Sequence, residues 1–176
     1  MPAVAFTVIG HIIKDTGGEG WATLRAVALR VASHMIKGLL MEFGKIRVVS
    51  SAIIEHNGKY FMQRFFDKAA DEEFWTPMGG GVNFGELAAD AVKREFIEEL
   101  GIELVVGEQI CVLENRYLYN GKRGHEIQYF FRCEFMDKSL YDCDKINYIE
   151  PGKEDKYGEW VSPDQVMRPE GIREFL

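Results

Sequence analysis

One stretch constrains this chain more than any other. Three consecutive glycines, Gly79, Gly80 and Gly81, lead within five residues to Glu86–Leu100, which contains neither Gly nor Pro and ends at Gly101. Good helix formers closed by a glycine predict a helix with a left-handed C-terminal cap. On a 3.6-residue wheel Glu95, Glu98 and Glu99 fall at i, i+3 and i+4 and share one face with Ala88, Ala91 and Val92. Asp90, Lys93 and Ile97 lie on the other side. Three carboxylates therefore continue the small, apolar stripe that would face the protein. Like charges within one turn repel, and desolvation adds to the cost. Either this face is solvated or something positive compensates it. A hard divalent cation, which binds carboxylate oxygens and keeps sites for phosphate, would do so. The preceding glycines let backbone approach a ligand or adopt positive φ, and a glycine-rich loop running into a helix presents backbone groups to phosphate or metal.

The rest of the chain reads as strands. Residues 46 to 54 are rich in Val, Ile and Ser, and Asn57-Gly58 separates them from Tyr60-Phe61-Met62, a strong hairpin signal. Asp67 to Glu73 reads as a loop. Ile102 to Tyr119, with a break near Gly107, and Glu126 to Met136 read as two strands joined by the turn residues 120–124. Ile127, Tyr129, Phe131, Cys133 and Phe135 alternate with mainly polar residues, which predicts one buried face. Asp137 to Lys156 reads as irregular. Glu159 to Val161 is a short last strand, and short helices are expected to open near Pro163 and Pro169.

The first 44 residues differ. Val4 to Ile13 reads as a strand and Trp21 to Leu40 as a helix, with Trp21, Leu24, Ala28, Val31 and Met35 at helical spacing. Three readings stay open for this segment. It is a helical appendage that docks on the domain or on a second subunit, a non-native leader (Ser33-His34-Met35 resembles a cloning junction), or an over-extended gene start with Met35 or Met41 as initiator. A non-catalytic extension of residues 1–44 before a domain of residues 45–176 is the expectation.

The formal net charge of -7 argues against a protein that coats nucleic acid, because that needs clustered Lys and Arg. It leaves room for a small phosphorylated substrate whose charge a bound cation offsets. Cys111, Cys133 and Cys143 lack metal-site spacing and read as free thiols of a reducing compartment. Val4 to Ile13 is too short to cross a membrane, and Arg25, Arg30, His34 and Lys37 interrupt the next apolar stretch. No basic n-region precedes the first apolar run. No membrane partner is expected, and the cytoplasm is the expected compartment.

The loop and helix together resemble the Nudix box, G-x5-E-x7-R-E-U-x-E-E-x-G-U, with U a bulky aliphatic residue. Gly80 is followed by Glu86, then Arg94-Glu95, Phe96, Ile97, Glu98-Glu99, Leu100, Gly101 and Ile102. Every fixed position matches, with aromatic Phe96 where an aliphatic residue is usual. WTPMGGGVNFGE resembles the run leading into the box. ENRYLYNGKRGHEIQYFF and EWVSPDQV resemble its downstream hairpin and final strand. The resemblance, over residues 46 to 176, implies the α+β class and the Nudix fold, an α/β/α sandwich around a mixed sheet, here with an N-terminal helical extension.

It also implies a metal-dependent pyrophosphohydrolase. Metal-activated water would attack a diphosphate linkage in a nucleoside diphosphate joined to another group. Glu98 and Glu99 would bind Mg2+, with Mn2+ as the alternative. Glu95 would be a ligand or the base, and the carbonyl of Gly79 or Gly80 a further ligand. Arg94 would hold the box carboxylates by charge-assisted hydrogen bonds. Glu86 would buttress the loop or reach a second metal through water, and Gly101 would cap the helix.

Outside the box, Arg64 is a candidate for phosphate, with an exposed salt bridge as the competing reading. Glu126 is a candidate base, metal ligand or substrate contact, competing with a solvent-facing strand carboxylate. Trp75, Phe84, Tyr117 and Tyr119 are candidates for stacking on a base, competing with core packing. The position fifteen residues past the box, where relatives acting on ADP-ribose often carry proline, is Arg116. Tyr117 and Tyr119 lie where dinucleoside-polyphosphate types often show tyrosine. Nucleoside triphosphates and dinucleoside polyphosphates are the favoured substrates. A catalytically silent nucleotide-binding or regulatory module and an RNA 5′-end processor are the competing readings. The first would be expected to lose box glutamates, and the second would need a basic track. A homodimer is left open.

Overall fold

Among the residues that the structure describes, the strand pattern resolves into two sheets and one α-helix. A computed structural model describes residues 44–149, 152 and 155–176. The expected strand at Val4 to Ile13 and helix at Trp21 to Leu40 lie outside these residues.

The first sheet has the order β5-β1-β7-β6, from Arg47–Ile53 (β1), Gly79–Gly81 (β5), Leu104–Tyr119 (β6) and Lys122–Phe135 (β7). Strands β1 and β7 run parallel while β1/β5 and β6/β7 are antiparallel, so the sheet is mixed. The second sheet has the order β2-β3-β9-β8, with β4 beside β3. Its strands are Glu55–His56 (β2), Lys59–Asp67 (β3), Glu72–Pro77 (β4), Lys145–Asn147 (β8) and Tyr157–Val161 (β9). Helix α1, Ala88–Leu100, packs on the first sheet. Two 3-10 helices, Lys138–Asp142 and Glu170–Phe175, complete the described residues. None of the described helices is long and apolar enough to cross a membrane.

Turn chemistry behaves as read. Asn57-Gly58 and Asn120-Gly121 all adopt positive φ (52°, 74°, 49° and 74°) and close two-residue hairpins. The second turn is tighter than the five-residue span expected, since Tyr119 already pairs with Lys122. Near Gly107 β6 does not break; its register shifts, as at a β-bulge, and the strand continues. The loop expected from Asp67 to Glu73 shortens to a turn at residues 68–71, its ends joining the paired strands β3 and β4, and the three glycines, expected as a loop, form the edge strand β5. Glycine is a poor strand former, but a Cβ on Gly79 would lie 2.0 Å from the Ser50 carbonyl oxygen. Only glycine allows that backbone approach.

The core lies on both faces of the first sheet. One cluster joins Ala52, Phe131, Cys133 and Phe135 to Val92, Phe96 and Leu100 of α1. The other joins Ile53 and Phe130 to Met62, Val161, Met167 and Ile172. The single buried face expected for β7 is thus a correction: Glu126, Gln128 and Phe130 on its other face are buried too. That face is covered by the second sheet and the C-terminal 3-10 segment.

Candidate functional site

Helix α1 has no side-chain cap at its start, but Gly101 caps its end in the left-handed region (φ 69°), its N–H reaching the carbonyls of Phe96 and Ile97. The buried stripe is Ala91, Val92, Phe96 and Leu100. Glu95 and Glu99 are half-buried beside it and Glu98 is exposed. The buried Ser50 hydroxyl of β1 donates to the Ala88 carbonyl at 2.6 Å and ties the first turn to the sheet.

Arg94 answers the electrostatic problem posed by the sequence. Its Nε donates to Glu86 at 2.8 Å, its Nη1 to Glu95 at 2.8 Å and Glu98 at 3.0 Å, and its Nη2 to the Gly81 carbonyl at 2.8 Å. One planar fork joins three carboxylates to the edge strand, which a point-like ammonium could not do. Glu86 also accepts from the Asn83 backbone N–H at 2.9 Å, which fastens the loop. The Arg94 hydrogen bond, then the Asn83 N–H, hold the Glu86 carboxyl down at about 2.

The glycines make room for these groups. A Cβ on Gly80 would lie 2.1 Å from the Glu95 carboxylate carbon and 2.4 Å from both its oxygens. Glu95 therefore occupies the space that any other residue at position 80 would fill. The ladder also sorts the glycine carbonyls. The bonds from Ala52 N–H to the Met78 carbonyl and from Val82 N–H to the Val48 carbonyl fix its phase. In that alternation Gly80 exchanges bonds with Ser50, while Gly79 and Gly81 direct their carbonyls off the sheet edge.

Among the described residues, no three acidic, histidine or cysteine side chains converge as a ready metal set. Glu95 and Glu98 are directed at Arg94, the nearest positive group. The donors still suit a hard cation: they are oxygens, they share one helix face, and one is seated against backbone with no side chain between.

The remaining candidates separate. Glu126 is not solvent-facing, which corrects the competing reading given above. It is buried, paired with Arg47 at 3.0 Å and accepting from the Tyr117 hydroxyl at 2.9 Å. Burial, then the Glu126 bond, raise the Tyr117 pKa. A Cβ on Gly124 would fall 2.2 Å from the Tyr117 ring, so that glycine makes room for the tyrosine. The register puts Glu126 beside Arg47, on the sheet face opposite Ser50 and α1. The buried Gln128–Ser51 bond lies on the same face. Arg64 lies on the second sheet, paired with Glu73 at 3.1 Å and set over the Tyr157 ring. Tyr119 is held edge-on to Phe65 and Phe74. Trp75 donates to Glu159, and Phe84 is fully exposed. Sequence reasoning missed Arg47, Ser50, Ser51 and Gln128. The only signal was polar residues inside two apolar strands.

A family profile described as the NUDIX domain matches residues 44–176. The chain is 37% identical over 67 residues to a CTP pyrophosphohydrolase of Escherichia coli, spanning 38% of this chain but only half of that relative. It is 26% identical over 127 residues to the nucleoside triphosphatase NudI of Escherichia coli, covering 69% of this chain and 85% of NudI. Among solved structures, the MutT Nudix hydrolase of Burkholderia pseudomallei superposes with a TM-score of 0.50 at 24% identity, over 75% of this chain and 98% of that one, and shows the shared fold. With the box complete in sequence and folded as one loop–helix unit, the chain belongs to the Nudix hydrolase family.

Proposed function

We propose that this chain is a divalent-metal-dependent pyrophosphohydrolase of nucleoside triphosphates, with residues 45–176 as the hydrolase domain and 1–44 as a non-catalytic extension. The observation that carries the reading is the seat of Glu95 against Gly80. It brings a half-buried carboxylate onto an edge strand whose glycines have no side chains to block a phosphate. Glu98 and Glu99 would hold Mg2+, or Mn2+ in its place. Gly79 is a better carbonyl donor than Gly80, whose oxygen the ladder commits to Ser50. Bound there, the cation would offset charge on the phosphates and lower the pKa of the attacking water.

The chain's own groups do the rest. Glu95 accepts the proton of water as its oxygen bonds to phosphorus, and the P–O–P bridge breaks with its electron pair on the departing phosphate. Arg94 orients Glu95 and Glu98. Glu126 and Tyr117, gathered with Arg47 on the opposite sheet face, are assigned to the nucleoside end. Arg64 and Tyr119, each held by neighbours on the second sheet, are assigned structural roles. The activities named for the two relatives rank nucleoside triphosphates above dinucleoside polyphosphates. The three free cysteines favour a reducing compartment, the cytoplasm.

The test is a panel of nucleoside triphosphates, ADP-ribose and dinucleoside polyphosphates, with products resolved, in Mg2+ and in chelator. Pyrophosphate released from a triphosphate only with metal supports the reading. Binding without turnover of any panel member would favour the silent module instead.

A further inference from the structure

Strand β6 is the open edge of the first sheet. Its hairpin closes on the two-residue turn Asn120-Gly121, and the register from Cys111↔Phe130 to Tyr119↔Lys122 is unbroken. Such a turn closes on a hydrogen-bonded pair. Tyr119, Tyr117, Asn115, Leu113 and Cys111 thus aim their backbone groups at β7. Val112, Glu114, Arg116 and Leu118 aim theirs outward, and all four are exposed. No strand covers that edge among the described residues, nor does a proline or inward lysine blunt it, although long exposed edges are normally protected.

We propose that this edge pairs with the same edge of a second copy, antiparallel about a two-fold axis at Asn115, and makes one eight-stranded sheet. The sequence selects the register. Centred on Asn115, Glu114 faces Arg116 of the second copy and Arg116 faces its Glu114, while Val112 and Leu118 face each other. Both pairs are even-numbered, so the outward N–H and C=O groups meet in phase. Centring on Glu114 or on Arg116 would instead oppose like charges, which destabilises cross-strand pairs. Glu114 already accepts from the His125 ring at 2.8 Å and keeps a second oxygen. Arg116 has no ion-pair partner among the described residues.

The test is sedimentation velocity of the full chain across a concentration series, with charge-swapped variants. The wild type is expected to sediment as a dimer of two 20.1 kDa chains. Arg116→Glu and Glu114→Arg are each expected to weaken association at least about tenfold, because each places like charges opposite one another twice. Mixed together, those two variants restore both ion pairs and are expected to form a heterodimer. The double variant is expected to dimerise with itself. Circular dichroism confirms that each variant is folded. A wild type that stays monomeric at tens of micromolar, a dimer indifferent to both swaps, or failure of the mixture to associate would each overturn the proposal.

Discussion

Replacing Gly80 by alanine separates catalysis from stability. The added Cβ would sit 2.1 to 2.4 Å from the Glu95 carboxylate, well inside contact distance. The backbone at position 80 is fixed by its pairing with Ser50, so Glu95 has to yield. It is the far end of a flexible side chain and can move by rotamer change. The cost is the Arg94–Glu95 hydrogen bond at 2.8 Å plus some torsional strain. Because that pair is partly solvated, the loss is about 1 kcal/mol. Displacing a catalytic group by about 1 Å, however, can cost roughly a hundredfold in rate. Gly80→Ala is therefore expected to melt within a few degrees of wild type and to lose at least about a hundredfold in kcat. Pyrophosphate release at saturating Mg2+ and thermal denaturation are the paired assays. Gly79→Ala is the contrast, because its Cβ would strike the Ser50 carbonyl at 2.0 Å, which is backbone and cannot swing aside. That variant should be strongly destabilised. A folded Gly80→Ala enzyme with undiminished kcat would refute the assignment of Glu95.

Further outcomes follow from other contacts. Arg94→Ala strips the fork from Glu86, Glu95 and Glu98 and should lower stability by about 2 kcal/mol, with Arg94→Lys recovering only part, read from denaturant midpoints. The Glu86 carboxyl is depressed to about 2 in the folded state, so its contribution is present above its unfolded value and fades as pH falls through about 2. Glu86→Gln should accordingly flatten the acid limb of the stability curve between about pH 4.5 and 2. Burial pushes the Cys133 thiol up to about 12, so a thiol reagent at pH 8 should leave it unmodified until denaturant is added, detected by mass spectrometry. Tyr117→Phe should raise KM more than it lowers kcat if the hydroxyl serves the nucleoside end.

The features legible in the sequence were local. Asn57-Gly58, Asn120-Gly121 and Gly101 announced turns and a cap because each needs a positive φ that few residues tolerate. Glu95, Glu98 and Glu99 were visible because helical spacing is set by the chain itself. What escaped depends on partners distant in sequence. The glycines of β5 read as a loop, since nothing local says that Ser50 will approach Gly79. In sequence Glu126 reads as solvent-facing, because alternation along β7 predicts one wet face. The C-terminal segment, with Met167 and Ile172, covers that face instead. The reach of Arg94 to the Gly81 carbonyl is likewise not legible in the sequence, because only the fold brings the two together.

If the acidic face of α1 carries metal-dependent cleavage, as proposed, Glu99→Gln exposes it. The substitution keeps size and removes one negative charge. With a nucleoside triphosphate, the wild type is expected to release pyrophosphate only when Mg2+ is present. The folded variant is expected to lose at least about a hundredfold in turnover. Undiminished turnover by a folded Glu99→Gln protein would contradict the proposal.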